Sequence, residues 1–210
     1  MTALLRLARA LVLLLAFAAV AGSLEARKVT YAVDRAASHV RIRLARSGLM
    51  KFLGHDHEIE APLAEGRIDV VEDDPSRSTV VLRFESANLA IVPGTEPADD
   101  VAKVEERMRG PDVLDVARYP EIAFASMSVR SQAKDGSRLV VAGTLTLRGR
   151  SFPVEVPLEV VREAPGLTAK GQVSLNLRDV GIEPPSVGGV VKVANGFRLE
   201  FEIRTKAAEP

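Results

Sequence analysis

"GFRLEFEIR", residues 196–204, alternates without a fault: Phe197, Leu199, Phe201 and Ile203 fall on one side of an extended chain, Arg198, Glu200, Glu202 and Arg204 on the other. Successive side chains of a β-strand point to opposite faces, so this stretch reads as a strand with one oily and one wet face. The same period recurs upstream. "TVVLRFE" (79–85) sets Val80, Leu82 and Phe84 against Val81, Arg83 and Glu85; "PVEVPLEVV" (153–161) buries Val154, Val156, Leu158 and Val160; "GQVSLNL" (171–177) buries Val173, Leu175 and Leu177. From Lys28 onward this period of two prevails over helical spacing.

Turn signals punctuate the strands at Glu65-Gly66, Asp73-Asp74-Pro75, Lys134-Asp135-Gly136, Arg148-Gly149, Pro165-Gly166, Pro184-Pro185 and Asn195-Gly196. The spacing predicts an all-β chain of about eight strands joined mostly by short hairpins, either an antiparallel sandwich or a closed barrel. One segment differs. "ADDVAKVEERMRGP" (98–111) puts Val101, Val104 and Met108 on one helical face, has Asp99 and Asp100 in its first turn and stops at Gly110-Pro111, which predicts one short helix over an end of the barrel. A barrel of about eight strands is either filled by its own side chains or holds one small ligand. Its inward positions here are aliphatic or phenylalanine, so a ligand inside would be apolar.

The front of the chain reads as an export signal. Arg6 and Arg9 form a basic head, Ala10 to Val20 is apolar, and Ala19-Val20-Ala21 offers a small-residue cleavage site, with Ala26 as a second candidate. The apolar run is short for a bilayer span, which takes about 20 residues. The expected organisation is therefore a signal peptide over 1–21, removed as late as 26, followed by one domain over 27–210 and no stable transmembrane segment. Without Arg6 and Arg9, the 28 basic residues no longer balance the 28 acidic ones and the formal charge is −2. Such a near-neutral chain with few aromatics points away from nucleic acid and from a polybasic membrane patch. It contains no cysteine, so its core must hold it together without disulfides.

Four stretches then carry a likeness: "YAVDRAASHVRIRL" (31–44), "VLDVARYPEIAFAS" (113–126), "VAGTLTLRGRSFPVEVPLEV" (141–160) and "LRDVGIEPPSVGGVVKV" (177–193). In this order they resemble the YceI-like family, exported bacterial proteins with a lipocalin-like barrel that bind polyisoprenoids or other long-chain lipids. The resemblance implies an antiparallel up-and-down, lipocalin-like barrel, a periplasmic or secreted location, and a long-chain apolar lipid such as a polyisoprenoid, a quinone-like molecule or a fatty acid or amide as partner. The chain departs from the family at "VEERMRGPDVLD" (104–115), where many relatives carry Arg-Asp and His-Leu pairs, and at "FLGHDHEIEA" (52–61), which replaces a glycine and phenylalanine. The particular lipid therefore does not transfer with the fold.

"HDH" at 55–57 raises the question of chemistry. On a regular strand His55 and His57 share a face with Ile59 and Ala61, while Asp56, Glu58 and Glu60 face water, so both imidazoles are expected inward near the barrel mouth. Their spacing suits one zinc or copper ion, but such sites draw on three or more protein ligands. His39 falls on the outward face with Arg41 and Arg43, Met50 lies in a turn, and no inward carboxylate is visible. Asp56 points away from both histidines, which spoils a carboxylate-orients-histidine arrangement, and there is no nucleophile motif, so an enzyme is not expected. Arg148, Arg150 and Arg178 fall at turns, where solvated charge and phosphate contact are both open readings.

The sequence thus predicts a carrier without catalytic residues or cofactor. Its ligand contacts are expected at His55 and His57 in the mouth and at Val80, Leu82, Phe84, Val156, Leu158, Phe197, Leu199 and Phe201 in the lumen. Zinc or copper at His55 and His57 is the alternative, and a homodimer is compatible with these features.

Overall fold

The computed structural model describes residues 27–47, 56–187 and 191–207. The expected signal peptide and His55 lie outside the described residues. The strands run, in chain order, β1 Lys28–Val33, β2 His39–Ser47, β3 His57–Glu60, β4 Leu63–Val71, β5 Thr79–Glu85 and β6 Ala90–Ile91, then helix α1 Ala98–Arg109, then β7 Glu121–Ser131, β8 Arg138–Leu147, β9 Arg150–Glu163, β10 Gly166–Asn176, β11 Ser186–Val187 and β12 Val191–Ala207. Eight of these strands, β1-β4-β5-β7-β8-β9-β10-β12, pair edge to edge. The last pairs with the first through Tyr31↔Ala207, Ala32↔Lys206 and Val33↔Thr205, which closes an antiparallel barrel.

Closure is economical because β12 is long. One of its edges pairs with β10, while the other is shared by β1 and, further along, by β2. Between them Ser38 Oγ donates to the Asp34 carbonyl and accepts from the Arg204 amide, holding the jog in the chain against β12. Strand β3 adds to β2, and the two-residue β6 adds to β3. Here the Ile91 N–H donates to Glu105 Oε1 of α1 at 3.0 Å, so the helix satisfies an edge that would otherwise offer an unpaired amide. Met108 of α1 is buried, and Val101 and Val104 pack against the core, the face that helical spacing predicted.

Two predicted turns are not turns. Asn195-Gly196 lies inside β12, where the register shifts between Val193 and Phe197, and the Asn195 carbonyl and Oδ1 accept from the amides of Leu177 and Arg178. A neighbouring segment thus takes the hydrogen bonds that a hairpin would have made internally, and the dipeptide becomes a bulge. Glu65-Gly66 likewise lies within β4. Glycine is needed there for space: a Cβ would come within 2.5 Å of Val33 Cγ2.

The two faces of the barrel differ sharply. Outside, Arg41, Arg43, Lys170 and Arg204 pair with Glu58, Glu60, Glu200 and Glu202 along β2, β3, β10 and β12. Inside, one apolar cluster lines the barrel, tightly packed at its ends with buried Leu147, Leu177, Val180 and Ile182 near α1, and with Leu167, Ala169 and Ile203 at the far end. Between these ends Val80, Leu82, Leu158, Phe197, Leu199 and Phe201 face the core yet are only half-buried. This polarity is the reverse of a membrane-spanning barrel, whose outer band is apolar. No helix among the described residues is long and apolar enough to cross a membrane.

Asp69 fastens the seam of β1, β4 and β5. Burial alone would push its carboxyl up, but Thr30, Lys28 and Arg67 donate to it, at 2.7, 3.0 and 3.1 Å, and hold it down to about 2. A carboxylate lowered on folding stabilises the fold above its unfolded value, near 3.8, and that contribution is lost as pH falls through the folded value. Asp69→Asn is therefore expected to forfeit about 2 kcal/mol at neutral pH and to remove one step of acid destabilisation between about pH 4 and 2, measurable by urea denaturation across that range.

Candidate functional site

The barrel end beneath α1 carries the chemistry. Pairing aligns His57 with Leu44, Leu44 with Phe197, and Phe197 with Leu175, so the imidazole belongs to the outermost apolar level of the inner face. The next level inward is Ile59, Ile42, Leu199 and Val173. A cavity of about 660 Å³ opens at this end, bordered by His57, Leu44, Leu175 and Phe197 together with Asp56, Thr95, Ser174, Asn176, Arg43 and Arg198.

The loop that follows the neighbouring strand β6 completes the site. After β6 the Val92 amide donates to the Glu58 carbonyl, and Thr95 turns the chain by donating its amide and hydroxyl to the Val92 carbonyl. Gly94, at φ 83°, supplies the left-handed residue this tight turn requires. Glu96 is thereby placed beside β3. Its side chain is 1% exposed, and its Oε1 lies 2.5 Å from His57 Nδ1. This corrects the expectation that no carboxylate points inward: Asp56 does not orient His57, but Glu96 does. No local pattern announces it, since 39 residues separate the two partners.

The other predicted positions are found as follows. Val80, Leu82, Leu158, Phe197, Leu199 and Phe201 face the core and are half-buried, and Phe84 is buried between Leu63 and Ile122. Val156 aligns with Val141 on β8, which aligns with Val129 on β7. His39 lies outside, its Nδ1 3.2 Å from Glu60. Arg148 donates to the carbonyls of Pro111 and Asp112, Arg178 pairs with Glu183, and Arg150 sits over the Phe152 ring, so all three turn arginines have partners within the protein. Among the described residues no three His, Asp or Glu side chains gather into a set able to hold a metal ion.

The motif residues that suggested the family are largely architectural. In 113–126, buried Asp115 adopts φ 49° and its carbonyl accepts from the amides of Arg118 and Tyr119. Arg148, from the hairpin motif, clasps Pro111 and Asp112 just ahead of that segment. The sequence signature of the YceI-like domain matches residues 31–205. The chain belongs to the YceI-like family. Protein YceI of Escherichia coli O157:H7 is 32% identical to this YceI-like chain over 82 residues, which is 35% of the chain and 41% of that protein, so the match spans less than half of the relative. Burkholderia cenocepacia BcnA shares the fold with a TM-score of 0.64 at 18% identity, over 82% of this chain and 98% of its own. A polyisoprenoid binding domain from Saccharophagus degradans, implicated in plant cell wall breakdown, gives 0.58 at 13% identity over 86% and 99%. At these identities the likeness carries the YceI-like barrel and nothing finer.

Proposed function

We propose that this YceI-like protein is an exported carrier that sequesters one long-chain apolar lipid inside its barrel and performs no reaction on it. The observation that carries this reading is the inverted polarity of the wall: an ion-paired outside encloses an apolar inside whose middle positions are only half-buried. Each methylene taken from water into such an interior contributes about 0.8 kcal/mol, so a chain of moderate length binds by burial alone. The polyisoprenoid-binding description of the Saccharophagus degradans domain supports the same ligand class.

Native mass spectrometry of protein isolated from its own host tests the reading, with a co-purifying hydrophobic mass as the expected result. Leu199, at the centre of the inner face, provides the matching variant. Leu199→Trp is expected to weaken isoprenoid binding at least tenfold while costing no more than about 1 kcal/mol of stability, because the added ring occupies the ligand's place. An empty protein, or a Leu199→Trp variant destabilised by the roughly 3 kcal/mol typical of an overfilled core, would count against a carrier. Periplasmic or secreted placement follows the signal peptide: deleting residues 1–21 is expected to retain the protein in the cytoplasm upon cell fractionation.

A further inference from the structure

We infer that His57 and Glu96 form a head-group site selecting an uncharged amphiphile that carries a hydroxyl, an alcohol or a phenol. This rests on the carrier reading and names which lipid head the mouth accepts. The Glu96 side chain is buried with Oε1 against His57 Nδ1, and a carboxylate oxygen accepts, so the Nδ1–H donates to Oε1. That hydrogen bond selects the ring tautomer. In the neutral ring Nε2 is then left with its lone pair, and among the described residues it has no partner.

The placement suits a head group. His57 stands at the last apolar level of the inner face, in register with Leu44, and borders the cavity where the barrel meets solvent. A tail lying along Leu199 and Phe201 would bring its polar end to this ring. Charge decides the type of head. The arginines bordering the cavity already have carboxylates beside them: Arg43 is 3.7 Å from Glu58 and 3.5 Å from Glu200, and Arg198 is 3.9 Å from Glu200. Asp56 and Glu58 border the same space. A phosphate would compete with these carboxylates for both cations, whereas a neutral hydroxyl meets no such conflict. A hydroxyl also brings the donor that Nε2 needs, which an ether, an ester or a quinone carbonyl lacks.

Three probes with one tail separate the possibilities: geranylgeraniol, its methyl ether and geranylgeranyl phosphate, titrated into the full chain after removal of co-purified lipid. The alcohol is expected to bind about tenfold more tightly than the ether, the effect of one well-placed hydrogen bond. In the paired variant His57→Phe, Glu96→Leu, which leaves no buried carboxylate behind, alcohol and ether are expected to bind alike and the ether as in the native protein. Should that variant fail to fold, nitrogen NMR of the native His57 ring gives the same information, since the Nε2 resonance must shift with the alcohol and stay fixed with the ether. Equal binding of alcohol and ether by the native protein, or tighter binding of the phosphate, overturns the head-group site and leaves the carrier standing. If none of the three probes binds, the carrier reading falls as well.

Discussion

Replacing Gly166 by alanine is expected to lower the unfolding free energy by about 3 kcal/mol and the melting temperature by roughly 10 °C. Gly166 begins β10 and is buried. A Cβ built on it would lie 2.1 Å from the Thr205 carbonyl oxygen and 3.0 Å from the carbonyl carbon, both backbone atoms with no rotamer to escape into. Thr205 cannot retreat cheaply. Its hydroxyl accepts from the Leu167 amide at 2.9 Å, and its backbone pairs with Val33 in the register that joins β12 to β1. The methyl group must therefore push β12 away from either β10 or β1, which opens the seam that closes the barrel. Gly196→Ala is the control. A Cβ there meets only Asn176 Oδ1, at 3.7 Å, so its cost is expected to stay within about 0.5 kcal/mol. Equal effects of the two substitutions in guanidinium denaturation would show that closure at Thr205 does not limit stability.

His57→Ala is expected to cost a similar amount, about 3 kcal/mol, for a different reason. The Glu96 carboxylate is sealed from solvent and held by His57. Truncating the imidazole leaves the Glu96 carboxyl without its partner in a poorly solvated place, and the cost of that orphaned group exceeds the value of the bond that held it. Glu96→Gln keeps an acceptor for Nδ1 and is expected to lose no more than about 1 kcal/mol. Removing both polar groups with His57→Phe, Glu96→Leu is expected to recover most of the loss. A double-mutant cycle built from His57→Phe, Glu96→Leu and their combination reads the coupling by chemical denaturation; additive single effects would mean that the pair contributes no coupling to the fold.

The expectations for His57 illustrate how far local pattern reaches. His57 was assignable to the inner face because it sits two residues from Ile59 on a strand with outward Glu58 and Glu60. Its partner was not assignable. Glu96 stands beside Pro97 just ahead of α1, where an acidic residue ordinarily signals a helix start, and nothing within a few residues distinguishes it from Asp99 or Asp100. Asn195-Gly196 failed in the opposite sense. The dipeptide is a strong hairpin signal, but the adjoining chain at Leu177 and Arg178 supplied the hydrogen bonds, so tertiary pairing overrode local turn preference.

Alternation along β5, β9, β10 and β12 was enough to establish an all-β chain and to sort Phe197, Leu199 and Phe201 from Arg198, Glu200 and Glu202, because the period of a strand is set by neighbouring peptide units. The helix over 98–109 was equally legible, since its spacing and its Gly110-Pro111 stop are local as well. Closure was not written in any one stretch: it depends on Val33 meeting Thr205 across almost the entire described chain. The same holds for the buried Glu96 at His57 and for the paired arginines around it. Contacts between residues far apart in sequence are settled by how the strands fit together in space, and a local repeat carries no record of that fit.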